Sequence, residues 1–174
     1  MNRFPILTLV SLAAALFLPA ANPVPVPKLD NVPPVPRANL EESIERGVYF
    51  LLEKQNKDGS WGSPRNTKGL NIYAPGFQSH YAFRLAVTAL CTSALIETGG
   101  DTLQTRSALK DSEAYLLEHL PKLRRANATA MYNVWAHGYG LQALVRLRAR
   151  AKDDLLKIKK IDALITQQFG RLDA

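Results

Sequence analysis

Residues 46–61, Arg-Gly-Val-Tyr-Phe-Leu-Leu-Glu-Lys-Gln-Asn-Lys-Asp-Gly-Ser-Trp, restrict the fold of this chain more than any other segment. Ile44, Val48, Leu51 and Leu52 fall at i, i+4, i+7 and i+8, one face of a helix of period 3.6. Gln55 ends that helix. Asn56-Lys57-Asp58-Gly59 is turn chemistry, because Asp can fold back on its own backbone and Gly is free to take positive φ. Trp61 follows at a fixed distance from Gln55, so a polar side chain and an indole can meet across the turn. A helix closed this way must go on to pack against other elements.

The rest of the domain reads as all-α. The first helix covers about residues 40–55, with Asn39 as its N-cap and Glu41 and Glu42 placed to suit a helix start. A loop of about two dozen residues follows, holding Trp61, Pro64, Gly69, Pro75 and Gly76, a length often associated with function. The second helix, about His80 to Thr98, has almost no polar stripe in its middle and is expected to be buried on most sides. Gly99-Gly100 stops it. A third helix spans about Leu103 to Leu120 and is stopped by Pro121. The fourth, about Tyr132 to Arg150, carries Gly138 and Gly140, as expected where helices approach closely. The fifth runs from about Asp153 to Phe169, with Asp153-Asp154 serving as dipole caps. Helices one, three and five are charged and amphipathic, whereas two and four begin with aromatics and are rich in small or apolar residues. Tyr49-Phe50-Leu51-Leu52 is echoed by Ala114-Tyr115-Leu116-Leu117, and Ala89-Leu90 by Ala143-Leu144. Echoes at comparable spacing are the mark of repeated helical hairpins.

Arg46-Gly47, two residues, Phe50-Leu51, three residues, Gln55, three residues, Gly59, one residue and Trp61 together resemble the QW repeat of the squalene cyclase and protein prenyltransferase superfamily. The specific motif covers residues 46–61; the helical rhythm covers residues 40–174. The resemblance implies an α/α toroid in which outer helices surround inner ones around a central cavity, and in which Gln55, Asp58, Gly59 and Trp61 form a structural clamp. On that analogy the second and fourth helices are inner. His80, Tyr81, Arg84, Tyr132, Trp135 and His137, near their N-terminal ends, become the cavity-lining candidates. A closed toroid takes more hairpins than five helices supply. The ending Ile165-Thr166-Gln167-Gln168-Phe169-Gly170 looks like the start of a further unit without its Gly-and-Trp turn. The expectation is therefore an incomplete ring: a truncated product of a longer gene, or a half-ring completed by a partner.

Catalytic chemistry is hard to find in these residues. Cyclases of that superfamily use an Asp-x-Asp-Asp acid, in which neighbouring carboxylates raise one pKa, and no such motif occurs. The prenyltransferases use an Asp, Cys and His zinc site. Here the single cysteine, Cys91, lies within the most apolar helix, where cysteine behaves as a small hydrophobe. His80, His119 and His137 share no metal-ligand spacing, and His119 in a last helical turn suits the helix dipole. No catalytic residue, metal or cofactor is assigned, and the sequence leaves open whether the chain is an enzyme. Asn127-Ala128-Thr129 fits a glycosylation sequon.

Residues 1–21 have the shape of a signal peptide: Arg3 as the only charge, an apolar run of 13 residues from Ile6 to Leu18, and small residues at the end. About 20 apolar residues are usually needed to span a bilayer. An uncleaved anchor is the alternative. Residues 22–38 form a Pro-rich linker. Seven of the 11 prolines fall between residues 19 and 36, which favours an extended, solvated spacer. The repeat domain is then 39–174. The net charge of +7 concentrates at Arg146, Arg148, Arg150, Lys152, Lys157, Lys159 and Lys160, against Asp153 and Asp154. In an exported chain this excludes nucleic acid as a sensible partner and leaves an anionic membrane or wall surface, or a solvated helix face. The leading expectation is an exported, non-catalytic module for binding or assembly, whose partner is itself (ring completion) or further repeats. The alternatives are the N-terminal part of a terpene cyclase-like or polysaccharide lyase-like enzyme, and a peripheral membrane-surface protein.

Overall fold

The computed structural model describes residues 34–62, 77–125 and 132–172. The segment expected to be a signal peptide, most of the Pro-rich segment, the loop residues Pro64, Gly69, Pro75 and Gly76, and the sequon pattern at Asn127 lie outside the described residues. Five α-helices occur in order: α1 (Arg37–Lys54), α2 (Phe77–Thr98), α3 (Leu103–His119), α4 (Asn133–Ala151) and α5 (Leu155–Leu172). A short 3-10 turn, Leu120–Lys122, follows α3, and no strand occurs among the described residues. The fold is all-α. No helix among these residues is long and apolar enough to cross a membrane.

α1 starts earlier than expected and without a side-chain cap. Pro36 takes the N-cap position, and its carbonyl accepts from the Asn39 and Leu40 N–H groups at 3.0 and 3.2 Å, which puts Asn39 inside the first turn. Proline suits this place because its fixed φ leads into a helix and no donor is lost. Two later helices, α3 and α5, start with side-chain caps. Thr102 Oγ1 accepts from the Thr105 N–H at 3.1 Å to start α3, and Asp154 Oδ1 accepts from the Lys157 N–H at 3.0 Å to start α5. Gly100, with φ +65°, follows the end of α2, where the Gly99 N–H closes onto the Leu95 carbonyl at 3.0 Å.

α2 and α4 form the centre. They pack more extensively on one another than any other pair, with α5 against α4 and α3 against α2. Their meeting faces are rich in small residues, with Ala82, Ala86, Ala89, Ala136 and Ala143 buried among Leu85, Leu144 and Leu147. Small side chains let helix axes come close, and Tyr115, Leu116, Leu120, Leu123 and Ile161 fill the remaining space. Gly140 is one such approach: a Cβ there would sit 2.8 Å from Leu120 Cδ2, whereas one on Gly138 would meet nothing within 4 Å. The hydroxyls buried in α2 bond to their own helix, Thr88 to the Arg84 carbonyl and Thr92 to the Thr88 carbonyl, both at 2.8 Å. A nearly stripe-free apolar helix can therefore carry threonines without leaving donors unsatisfied. A second cluster gathers Leu95, Ala108 and Leu109 around Trp61. α1 joins it through half-buried Val48, Leu51 and Leu52 and has no fully buried residue of its own.

Candidate functional site

The segment after α1 builds a clamp across three helices. Its turn is closed by the Asn56 N–H on the Ser60 carbonyl at 2.8 Å and the Gly59 N–H on the Asn56 carbonyl at 2.9 Å. Asp58 Oδ1 accepts from the Ser60 N–H at 3.2 Å and from its hydroxyl at 2.7 Å, the Asx arrangement that short acidic side chains favour in turns. Gly59 has φ +83°, and a Cβ on it would lie 2.4 Å from the Asp111 carbonyl oxygen of α3. Both facts exclude any larger residue. Gln55 Nε2 donates to the Gly59 carbonyl at 3.0 Å and to the Ala108 carbonyl of α3 at 2.9 Å. The Trp61 indole N–H donates to the Leu51 carbonyl of α1 at 2.8 Å, while its backbone N–H donates to Thr88 Oγ1 of α2 at 3.0 Å. Trp61 is 3% exposed. Gln55, Asp58, Gly59 and Trp61 thus stand together in one bonded unit.

Arg84 completes that unit from α2. Its Nε donates to Ser60 Oγ at 2.9 Å, its terminal nitrogen pairs with Asp58 Oδ2 at 2.7 Å, and its guanidinium lies 5.6 Å from the centroid of the Tyr115 ring. Burial opposes ionisation of Asp58, but the hydrogen bonds from Ser60 and the charge of Arg84 outweigh it and hold the carboxyl below its ordinary range.

The six residues proposed to line a cavity do not face one common space. Tyr81 and Arg84 turn toward α3. The Tyr81 hydroxyl lies 2.8 Å from His119 Nδ1 and 3.1 Å from the His119 carbonyl oxygen, and burial pushes the phenol up to about 12. His119 stacks on Tyr115 at 4.2 Å between centroids, and burial lowers its pKa. His137 is 2% exposed and faces α5, where its Nδ1 meets Gln168 Oε1 at 2.7 Å, so Nδ1 carries the proton. Burial, reinforced by the nearby Arg171 and Arg124, lowers the His137 pKa against the opposing effect of the Gln168 bond. Tyr132 and Trp135 instead form an open aromatic cluster with Phe83, whose ring centroid lies 5.2 Å from Tyr132 and 5.3 Å from Trp135. Trp135 is 52% exposed. His80 is half-buried in the first turns of α2.

Phe83 was not among the sequence candidates, although it opens the series Phe83, Val87, Leu90 and Ala94 along one face of α2, and Val87, Leu90 and Ala94 are exposed. The remaining chemistry is sparse. Burial raises the Cys91 thiol to about 11, far from a reactive thiolate. Among the described residues, no group of three His, Cys, Asp or Glu side chains could hold a metal ion. In the basic region Arg146 pairs with Glu97, Arg148 with Asp162, and Lys157 with Glu113. Comparison of the chain with protein-family models, with curated proteins and with solved structures returned no match, so its functional reading is drawn from this geometry.

Proposed function

We propose that this chain is an exported, non-catalytic assembly module: an incomplete α/α-toroid-type array of helical hairpins that associates with further copies of itself. The leader-like residues 1–21 support export. The clamp supports the toroid-type reading, because Gln55 and Trp61 bind a helix, its successor and the next outer helix through backbone carbonyls and Thr88.

One observation carries the assembly reading: α1 and α5, the first and last described helices, each expose large apolar side chains. α1 has no buried residue and exposes Leu40, Tyr49 and Phe50; α5 exposes Leu155, Leu156 and Phe169. Repeat arrays bury such faces only against a neighbour. The two ends also differ in charge. α1 carries four glutamates against three basic residues, whereas α5 carries three lysines and Arg171 against Asp162. An apolar head with an acidic bias and an apolar tail with a basic bias suit a head-to-tail contact between copies, which closes into a ring if the rotation allows.

Light scattering coupled to gel filtration tests this. The chain is expected to form a discrete oligomer. Phe50→Asp, on the head, and Phe169→Asp, on the tail, should each yield monomers that remain helical. Mixing the two variants should restore a dimer and go no further, since the head and the tail left unpaired are the two that carry the substitutions. A wild-type chain that stays monomeric at high concentration would sink the proposal.

A further inference from the structure

A cleft of about 700 Å³ lies between α3 and α5 and is also lined by the last turn of α4. That volume is within the range of small-molecule sites, about 300–1,000 Å³. Leu109, Leu117 and Leu147 give it an apolar lining, and Leu109 and Leu147 are almost fully buried beneath it. Lys110, Arg150 and Lys160 bring positive charge to it from three different helices.

Two carboxylates, Glu113 and Glu118, also line the cleft, and both are engaged. Glu113 pairs with Lys157 at 3.0 Å and Glu118 with Lys122 at 2.8 Å, while Asp101 is held by Arg106 at 2.9 Å. Lys110, Arg150 and Lys160 make no ion pair among the described residues, although the charge of Arg150 helps to lower the pKa of Asp101. Five cations and two carboxylates line this concavity, and three of the cations make no ion pair among the described residues, which leaves a net positive charge beside buried leucines. Like charges focused by low-dielectric walls attract an anion, and the leucines attract an apolar chain.

We propose that this cleft binds a single-chain anionic amphiphile of the fatty-acid type, with its carboxylate at Lys110, Arg150 and Lys160 and its chain along Leu109, Leu117 and Leu147. The site shares Lys157 and Lys160 with the tail helix α5 but not Phe169, so Phe169→Asp should leave binding intact even where it abolishes oligomers.

Calorimetric titration of the full chain with dodecanoate below its micellar concentration tests the site. Saturable binding of one equivalent is expected, weakened by added NaCl. Dodecyltrimethylammonium and inorganic phosphate, which each supply only half of the recognition, should not match it. The double variant Lys110→Glu/Lys160→Glu should weaken binding about tenfold or more, the loss expected for each 1.4 kcal/mol of interaction removed. Ala114→Trp, at an exposed cleft position, should weaken it by filling the space, and circular dichroism would verify that both variants stay helical. Dodecanoate binding that is absent, or unchanged in both variants, overturns the proposal. So does phosphate binding as tight as dodecanoate, which would mean a simple anion site. Binding only to phosphatidylglycerol vesicles, with none to monomeric dodecanoate, also overturns it and assigns the charge to a membrane surface.

Discussion

Gln55, at the end of α1, and Gln168, in α5, each join their helix to another, and they do so by different chemistry. Gln55 gives both of its bonds to backbone carbonyls, at Gly59 and Ala108, and its turn is backed by the buried indole of Trp61. Gln168, fully buried in α5, meets the imidazole of His137 at 2.7 Å. A carbonyl never changes its protonation in the pH range a protein meets; an imidazole does. The first junction is therefore fixed by geometry, and the second responds to acid.

The largest expected effect comes from breaking the first junction at its anchor. Trp61→Ala removes a 3% exposed ring from the second core cluster and a donor from Leu51, and should cost about 3–5 kcal/mol in chemical denaturation. Next is Gly59→Ala, which asks a Cβ to stand 2.4 Å from a backbone oxygen at positive φ; a loss of about 1–3 kcal/mol is expected. A substitution there that leaves stability untouched would show that the turn can move away from α3.

The pH dependence sharpens the contrast. His137 has a pKa below 6.5 when folded, so between the two values the unfolded chain binds more protons. Its contribution is complete above about pH 6.5 and is lost as pH falls toward the folded pKa. Gln168→Leu removes the bond that favours the charged imidazole, so the acid limb of the stability curve should steepen in thermal melts against pH. His119 titrates in the same direction, and the double comparison with His119→Phe separates the two. Asp58 has the opposite sign of charge and a lower window: its contribution is present above about pH 3.8 and is lost as pH falls through its folded pKa. The smallest effect belongs here. Asp58→Asn keeps the turn hydrogen bond but removes a half-exposed ion pair with Arg84, worth less than about 1 kcal/mol.

The helices and the clamp turn were legible in the sequence because both are written locally. A period of 3.6 needs only a few residues, and Asn-Lys-Asp-Gly carries its own turn chemistry. The clamp's outer partners were not legible, since Ala108 and Asp111 come from a helix about 50 residues away and Thr88 from one 27 away. The cavity candidates show a second limit. Each residue along a helix turns the side chain by about 100°. Phe83 and Arg84 are adjacent in sequence, yet one joins the open aromatic cluster and the other bonds the clamp beside α3. Trp135 and His137 likewise differ by two positions and face an open side and a buried one. Closeness to a helix end does not fix which way a side chain turns; the contacts of the neighbouring helices do.

The way α1 is attached has a consequence for the time course of opening. Its bonds to the rest of the fold enter through Leu51 and Gln55 at its C-terminal end, and none of its 18 residues is buried. Local unfolding draws on elements with few buried contacts. Amide exchange should therefore run fastest over the first turns of α1, slow abruptly at Leu51, and remain slow through the meeting faces of α2 and α4. Because Gln55 bonds a residue 53 positions further along the chain, α1 gains that anchor only once α3 is in place.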